Sequence, residues 1–249
     1  MSNVFMVSVV RDYQMYGKCV KDNPWCKDLN LLPLDNLKEN KPITVRYNEF
    51  LDSFTEEGWI VFCHEDWMLE CDIRPILETL DKSMLWGPIG VYLEECQHSD
   101  FVHLYGRVNH SMKDGRGKTA VVGLEDSARV DCFDCQCLIV HSSLIKQYGL
   151  RFDPNLKFDM YVEDFCVNAY EKHDIISHTV RIECTHYSKG DINTRFHNSL
   201  DYVREKYKDS KKRYITIVGR HNGFGRNSDK PIHTYRNSLI PMIRYYLLK

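Results

Sequence analysis

The sequence predicts an α/β fold, with a mostly parallel central sheet and helices on both faces. Short apolar runs typical of buried strands alternate with amphipathic segments through residues 1–140. A proline lies near the start, and a glycine just after the end, of a candidate helix bounded by Pro42 and Gly58. A chain of 249 residues with 43% hydrophobic content is long enough to bury a large core.

Each predicted element follows from its own pattern. Strands are predicted at NVFMVSVV, LNLLPLDN, WIVFC, WGPIGVYL, RVDCFDCQCLIV and SHTVRIECTHYS. Helices are predicted at RDYQMYGKCVKDN, PITVRYNEFLDSFTEEG, DIRPILETLDKSM, HSSLIKQYG, KFDMYVEDFCVNAYEKHD and FHNSLDYVREKY. The polar, glycine-containing segment 93–128 is typical of hairpins or loops inserted into the sheet. The β-α-β-α order favours parallel strands joined by helices.

Charge is nearly balanced, with a formal net value of −2, so we expect no nucleic-acid partner. Residues 201–249 nevertheless hold 12 Lys or Arg against 4 Asp or Glu. No run of about 18 apolar residues is present, and the opening MSNVFMVSVV lacks the pattern of a signal peptide. We therefore predict a cytoplasmic protein. Its 10 cysteines are expected to be reduced thiols.

The cysteines of VDCFDCQCLIV, which are Cys132, Cys135 and Cys137, raise the alternative of a zinc site. They lie in a strand-like run with no second pair at zinc-finger spacing. Buried, unreactive cysteines are the favoured interpretation.

Polar residues follow several predicted strands. Arg11 and Asp12 follow the first strand, Asp35 and Asn36 the second, His64, Glu65 and Asp66 the third, and His186 belongs to a late strand. Ligands bind beyond the carboxyl ends of strands in open α/β sheets, so we expect one shared crevice. Carboxylates there suit Mg²⁺ or Mn²⁺ that also binds phosphate oxygens, and an imidazole favours Mn²⁺. Helix capping by the acidic residues is an equally good interpretation on spacing alone.

A second acidic pair, Glu163 and Asp164, lies in the first turn of the helix that follows KFDM. Both flank its apolar stripe, so one of them is a candidate general base toward a hydroxyl group. The competing interpretation is a favourable interaction with the helix dipole.

These motifs together resemble the GT-A glycosyltransferases, whose fold is Rossmann-like, and in particular bacterial family 2-like members. The resemblance covers residues 4–207 and rests on the order of YNEF, VFCHEDWML, GPIGVYL, VDCFDCQCLIV, GLRFDPNLKFDMYVEDFCVNAYEKH and HTVRIECTHYSKGDINTRF. HED stands where the family has Asp-x-Asp, with His64 in the place of the first aspartate. The resemblance implies a sugar transfer from a nucleoside-diphosphate sugar, UDP-linked by family habit, to a hydroxyl of a glycan or lipid-linked acceptor, as in polysaccharide biosynthesis.

The resemblance also implies roles for individual residues. Asp66 and His186 would bind the metal, and Asp164 would be the catalytic base. The nucleotide-sugar donor would contact a larger set, which consists of Arg11, Asp12, Asp35, Asn36, Tyr47, Asn48, Glu65, Asp66 and Asp134.

We divide the chain into a domain at 1–207 and a basic, apolar C-terminal extension at 208–249, predicted to be helical. The extension is a candidate for peripheral contact with the inner face of a membrane. A helix packed on the domain or on another subunit explains its dense apolar residues equally well. Two other functions remain open, a nucleotidyltransferase and a non-catalytic binding module.

Overall fold

The computed structural model describes residues 2–97, 100–188, 192–217 and 223–226, together with the backbone of a strand at 232–234. The strands are β1 Val4–Val10, β2 Asn30–Asp35, β3 Trp59–Cys63, β4 Trp67–Leu69, β5 Leu85–Gly87, β6 Ile89–Glu94, β7 Asp100–His110, β8 Thr119–Val122, β9 Arg129–Val130, β10 Cys132–Phe133, β11 Cys137–His141, β12 Ser177–Thr179, β13 Cys184–His186, β14 Arg213–Ile215, β15 Gly223–Gly225 and β16 Ile232–Thr234. The α-helices are α1 Tyr13–Tyr16, which continues as a π-helical turn to Lys21, α2 Ile43–Ser53, α3 Arg74–Leu77, α4 Ser142–Tyr148, α5 Tyr161–His173 and α6 Thr194–Lys206.

The central sheet has the strand order β2-β1-β3-β11-β5-β12-β9. β1 is parallel to both β2 and β3, and β12 is parallel to β5, whereas β11 is antiparallel to its neighbours. Phe5 and Val7 of β1 pack in the same core cluster as residues of α2, α5 and α6. Val4 and Met6, which alternate with them, pack with residues of α1 and α3 on the other face. The predicted α/β architecture is confirmed, with helices on both faces of the sheet.

A second sheet, ordered β10-β6-β7-β13-β4, lies beside the central one, and β8 and β16 also pair with β7. The segment 93–128 contributes β7 and β8, an antiparallel pair as expected for an inserted hairpin. β13 is antiparallel to β4 and parallel to β7. Because β4 begins four residues after β3 ends, this sheet places β13 beside the carboxyl end of β3.

Several predicted elements differ from the structure. RVDCFDCQCLIV is divided among β9, β10 and β11, and SHTVRIECTHYS is divided into β12 and β13. WGPIGVYL is two strands, β5 and β6, which belong to different sheets. Pro88 lies between them and has no N–H group to donate to a strand ladder. The helix predicted at DIRPILETLDKSM is only the four residues of α3, since the Asp81 carboxylate instead accepts hydrogen bonds from the N–H and hydroxyl groups of Ser83.

Beyond residue 207, the described residues pack on the domain. β14 and β15 form an antiparallel pair, and Arg213 makes a buried ion pair with Asp100 at 2.8 Å. The extension at 208–249 is predicted to be helical, but its described residues contain the strands β14, β15 and β16, and residues 235–249 lie outside the described residues. Among the helices that the structure describes, none combines the length and the apolar character needed to cross a membrane.

Candidate functional site

A cleft of about 670 Å³ lies at the carboxyl ends of β1, β2 and β3. The structure brings to it nine of the residues singled out in the sequence, which are Arg11, Asn36, His64, Glu65, Asp66, Asp134, Cys135, Glu163 and His186. The parallel register explains this convergence, because Val7 lies beside Phe62 and Val10 beside Asp35. Asp134 precedes β11, which is antiparallel to β3. Because Cys137 at the start of β11 pairs with Cys63 at the end of β3, Asp134 lies at the same edge of the sheet.

Glu65 fixes the loop after β3 against the loop after β1. Its carboxylate accepts hydrogen bonds from the backbone N–H of Arg11 at 2.6 Å and of Asp12 at 2.8 Å. The HED segment is thereby tied to the end of the neighbouring strand. Glu65 has a structural use within the cleft and is not one of the grouped metal-ligand candidates.

His64, Asp66 and His186 form a cluster whose candidate ligand atoms all lie within 4.8 Å of one another. The pairing of β13 with β4 creates it, because His186 lies opposite Trp67, the residue after Asp66. The N–H of Tyr187 also donates to the backbone oxygen of Asp66 at 2.9 Å. Two residues of one loop and one residue 120 positions later in the chain are therefore held together by backbone pairing.

The polar groups of this cluster are not all satisfied. His186 is only 6% exposed. Its Nε2 lies 3.3 Å from Asp66 Oδ1, but neither imidazole nitrogen has a well-aligned hydrogen-bond partner among the described residues. Buried polar atoms are rarely left in this state unless a ligand, ion or water completes them.

Burial and mutual charge set the protonation of the cluster. Burial lowers the pKa of His64 to about 4, and the neighbouring His186 adds to the effect. Burial alone would raise the pKa of Asp66, but contact with His186 outweighs it and lowers that pKa to about 2. A neutral imidazole and an ionised carboxylate are the forms that bind a metal.

The three side chains fit a divalent cation. Two borderline imidazole donors and one hard carboxylate suit Mn²⁺ and other transition metals better than Mg²⁺, which prefers all-oxygen surroundings. The partnerless nitrogens of buried His186 are the observation that supports this fit. The alternative zinc site has no support, because no cysteine belongs to a metal-ligand group within the described residues.

Glu163 forms the acidic wall of the cleft with Asp134. It is 2% exposed, and its Oε2 accepts a hydrogen bond from the thiol of Cys135 at 2.9 Å. Burial raises the pKa of Glu163 to about 8, although the Cys135 hydrogen bond opposes the shift. Asp134 accepts a hydrogen bond from the side-chain amide of Gln136 at 2.7 Å.

Asp164, the base implied by the family resemblance, is not among the residues that line the cleft. Its carboxylate is 2.6 Å from Lys206 Nζ and accepts a hydrogen bond from the Tyr207 hydroxyl at 2.9 Å. Both partners belong to the C-terminal end of α6. Asp164 therefore joins α5 to α6, and its neighbour Glu163 is the carboxylate of this pair that lines the cleft.

Four further residues expected at the donor site have other surroundings. Tyr47 is fully buried and its hydroxyl donates to the Cys63 carbonyl, while Asn48 exchanges two hydrogen bonds with the backbone of Phe152. Asp12 caps α1 by accepting from the N–H of Met15. Asp35 accepts from the Tyr13 hydroxyl at 3.0 Å. None of the four lines the cleft as the structure describes it.

The sequence analysis missed one wall of the cleft, formed by Lys157, Phe158, Asp159 and Arg195. Phe158 stacks on His64, with ring centroids 5.3 Å apart, and the Arg195 guanidinium lies 4.7 Å from the centre of the Phe158 ring. Met160, also in this wall, has a φ of 65°, which is uncommon for a residue other than glycine. Such backbone conformations are frequent near functional sites, but the sequence letters do not reveal them.

No protein-family model matches the chain, and no curated protein matches it. Solved structures do match. The crystal structure of GalNAc-T7 with UDP, GalNAc and Mn²⁺ has a TM-score of 0.52 and 9% identity, over 84% of this chain and 50% of that chain. The chain has a GT-A-like fold, as its motifs predicted. It spans about half the length of the GalNAc-T7 chain.

Two structures of S. aureus TarS match less well. TarS 1-349 has a TM-score of 0.46 and 13% identity, over 85% of this chain and 67% of that one. The other TarS structure has a TM-score of 0.46 and 11% identity, over 85% of this chain and 40% of that one.

Proposed function

We propose that the protein is a glycosyltransferase that moves a sugar from a UDP-sugar to a hydroxyl group of an acceptor with the help of Mn²⁺. The observation that carries the proposal is the cluster of His64, Asp66 and His186, at the carboxyl end of β3 in a GT-A-like fold. GalNAc-T7, which has this fold, was solved with UDP, GalNAc and Mn²⁺. That complex supports the choice of nucleotide and metal.

The basic side chains of the cleft also support a diphosphate substrate. Besides the candidate metal ligands, its lining includes four basic residues, which are Arg11, Lys41, Lys157 and Arg195. A volume of about 670 Å³ lies within the usual range for small-molecule sites, which is roughly 300–1,000 Å³. Basic side chains combined with a cation site are the elements that neutralise a diphosphate.

The proposed reaction is a displacement at the anomeric carbon of the donor sugar. The acceptor oxygen forms the new glycosidic bond while the bond to the nucleoside diphosphate breaks, and the proton of the acceptor hydroxyl passes to Glu163. A bound divalent cation would stabilise the negative charge that develops on the departing diphosphate. Glu163 suits the base role because it lines the cleft and its pKa of about 8 lies near working pH.

The deciding experiment is thermal melting of the protein with UDP, GDP, CDP or ADP, each with and without Mn²⁺. A ligand present at about 100 times its dissociation constant stabilises the folded state by about 2.7 kcal/mol, which raises the melting temperature by several degrees. We expect this shift with UDP and only when Mn²⁺ is present. The matched control is Asp66→Asn, which keeps the size of the side chain and should lose the shift.

Absence of a shift with every nucleotide would contradict the donor site. Where the shift is found, incubation with a panel of UDP-sugars and the products released distinguish the reaction class. Release of UDP identifies a glycosyltransferase, and release of pyrophosphate from a nucleoside triphosphate would identify a nucleotidyltransferase instead.

A further inference from the structure

Tyr161, the first residue of α5, contacts His64 of the metal-ligand cluster through both its hydroxyl group and its ring. Its hydroxyl oxygen lies 3.1 Å from His64 Nε2 and 2.6 Å from the backbone oxygen of Cys135. The side chain is 1% exposed, and its ring packs among Tyr47, Phe152 and His64. The phenol is therefore held in place on all sides.

The direction of these two hydrogen bonds follows from counting protons. A carbonyl oxygen can only accept, so the one hydroxyl proton of Tyr161 must point toward Cys135 O, because two oxygens 2.6 Å apart without a proton between them repel each other. The Tyr161 oxygen can then only accept from His64. His64 Nε2 must consequently be the donor and carry a proton.

A histidine that binds a metal is neutral and carries one proton on its two nitrogens. If Nε2 holds that proton, only Nδ1 retains a lone pair. We propose that Tyr161 is a positioning residue that fixes His64 in the Nε2-protonated tautomer and so directs Nδ1 to the divalent cation. This inference rests on the metal site of the proposed function.

The ring stacking around His64 supports the same orientation. Phe158 and Tyr161 both stack with the imidazole at an interplanar angle of 26°, with centroids 5.3 Å and 6.2 Å away. His186 has no comparable partner on either nitrogen within the described part of the chain. The two imidazoles of the cluster therefore differ, since the tautomer of His64 is set by Tyr161, whereas His186 has only Asp66 Oδ1, 3.3 Å from its Nε2, beside its nitrogens among the described residues.

The first measurement is the imidazole ¹⁵N spectrum of the metal-free protein, with the His64 signals assigned by their loss in His64→Gln. We expect a protonated Nε2 and an unprotonated Nδ1 for His64. A protonated Nδ1 with unprotonated Nε2 would overturn the proposal. The tautomer is read from the wild-type spectrum, so this measurement does not depend on the folding of Tyr161→Phe.

The second measurement compares the Mn²⁺ affinities of Tyr161→Phe and Tyr207→Phe with that of the wild type, by electron paramagnetic resonance titration. Both variants lose a buried phenol hydroxyl, but the Tyr207 hydroxyl bonds to Asp164 and not to the cluster. We expect affinity to fall by about tenfold in Tyr161→Phe, as for other partners of metal-binding histidines, and to remain unchanged in Tyr207→Phe. Equal affinities in the two variants would contradict the positioning role. A wild-type protein that binds no Mn²⁺ would overturn the metal site itself, whereas Mn²⁺ binding with the opposite tautomer would overturn only the role of Tyr161.

Discussion

Glu163 and Asp164 are neighbours on α5, but they face different surroundings. The polar groups around Asp164 have hydrogen-bond and ion-pair partners, whereas some of those around Glu163 do not. On the α6 side, Asp164 contacts Lys206 and Tyr207, and Lys206 also pairs with Asp153. On the cleft side, Glu163 accepts a hydrogen bond from the thiol of Cys135, and the nitrogens of His186 have no well-aligned hydrogen-bond partner among the described residues. The hydrogen-bonded polar groups on the α6 side join two helices. The polar groups on the cleft side can still bind a substrate or an ion.

The sharpest test of this comparison is Glu163→Gln, which keeps the shape of the side chain but removes its ability to accept a proton. We expect transfer to fall by about 10²–10⁴-fold, while the Mn²⁺-dependent melting shift with UDP remains. Product formation from a UDP-sugar donor is the measurement for transfer, and thermal melting the measurement for binding.

The matched control is Asp153→Asn, which alters a carboxylate of the α6 side and should retain transfer when compared at equal amounts of folded protein. The opposite pattern would restore Asp164 as the base. It would consist of a folded but inactive Asp164→Asn variant and an active Glu163→Gln variant.

The α6 side is tested by Lys206→Met, which removes the cation that lies 2.6 Å from both Asp153 and Asp164. Asp164 would remain buried with its charge opposed only by the dipole of the Tyr207 hydroxyl. Breaking a buried ion pair in this way costs about 3 kcal/mol or more, to be measured by urea unfolding. Lys208→Met is the control, because Lys208 pairs with Glu205 on the surface and its loss should leave stability nearly unchanged. Equal effects of the two substitutions would show that the contacts of Lys206 with Asp153 and Asp164 contribute little to the free energy of unfolding.

A smaller effect concerns pH. The pKa of Glu163 rises from an ordinary 4.5 to about 8 on folding, so between these values the folded protein holds a proton that the unfolded chain has released. The stability contributed by this group is present at low pH and is lost as pH rises toward about 8. Melting of the metal-free protein between pH 5 and pH 8 should therefore show a decline that is weaker, by a few degrees, in Glu163→Gln. Parallel pH curves for the two proteins would mean that Glu163 is ionised in the fold.

The fold and the position of the cleft could be predicted because they depend on local patterns. Apolar runs gave β1 and β3, and the polar residues after them, such as Arg11 and His64, meet because parallel strands end at one edge. The choice between Glu163 and Asp164 could not be made in this way. Both flank the same apolar stripe, and only the packing of α6 on one side decides which carboxylate is paired with Lys206.

Other errors in the predicted site have the same origin. Tyr47 and Asn48 occur in a motif-like YNEF segment, but their hydrogen bonds go to the backbone of Cys63 and Phe152, which no sequence pattern indicates. In the sequence, the position of Tyr161 indicates only an apolar residue at the start of a helix. Its contact with His64 depends on a turn in which Met160 adopts a left-handed conformation.

The pairing of β13 with β4 also determines when during biosynthesis the protein can chelate a cation. A nascent chain that has exposed only its first 180 residues holds His64 and Asp66 but not His186. The third donor arrives only when β13 has been synthesised and has docked beside β4. Chelation by this cluster therefore requires the long-range pairing of β13 with β4, and an ion bound there stabilises that pairing rather than an early local one.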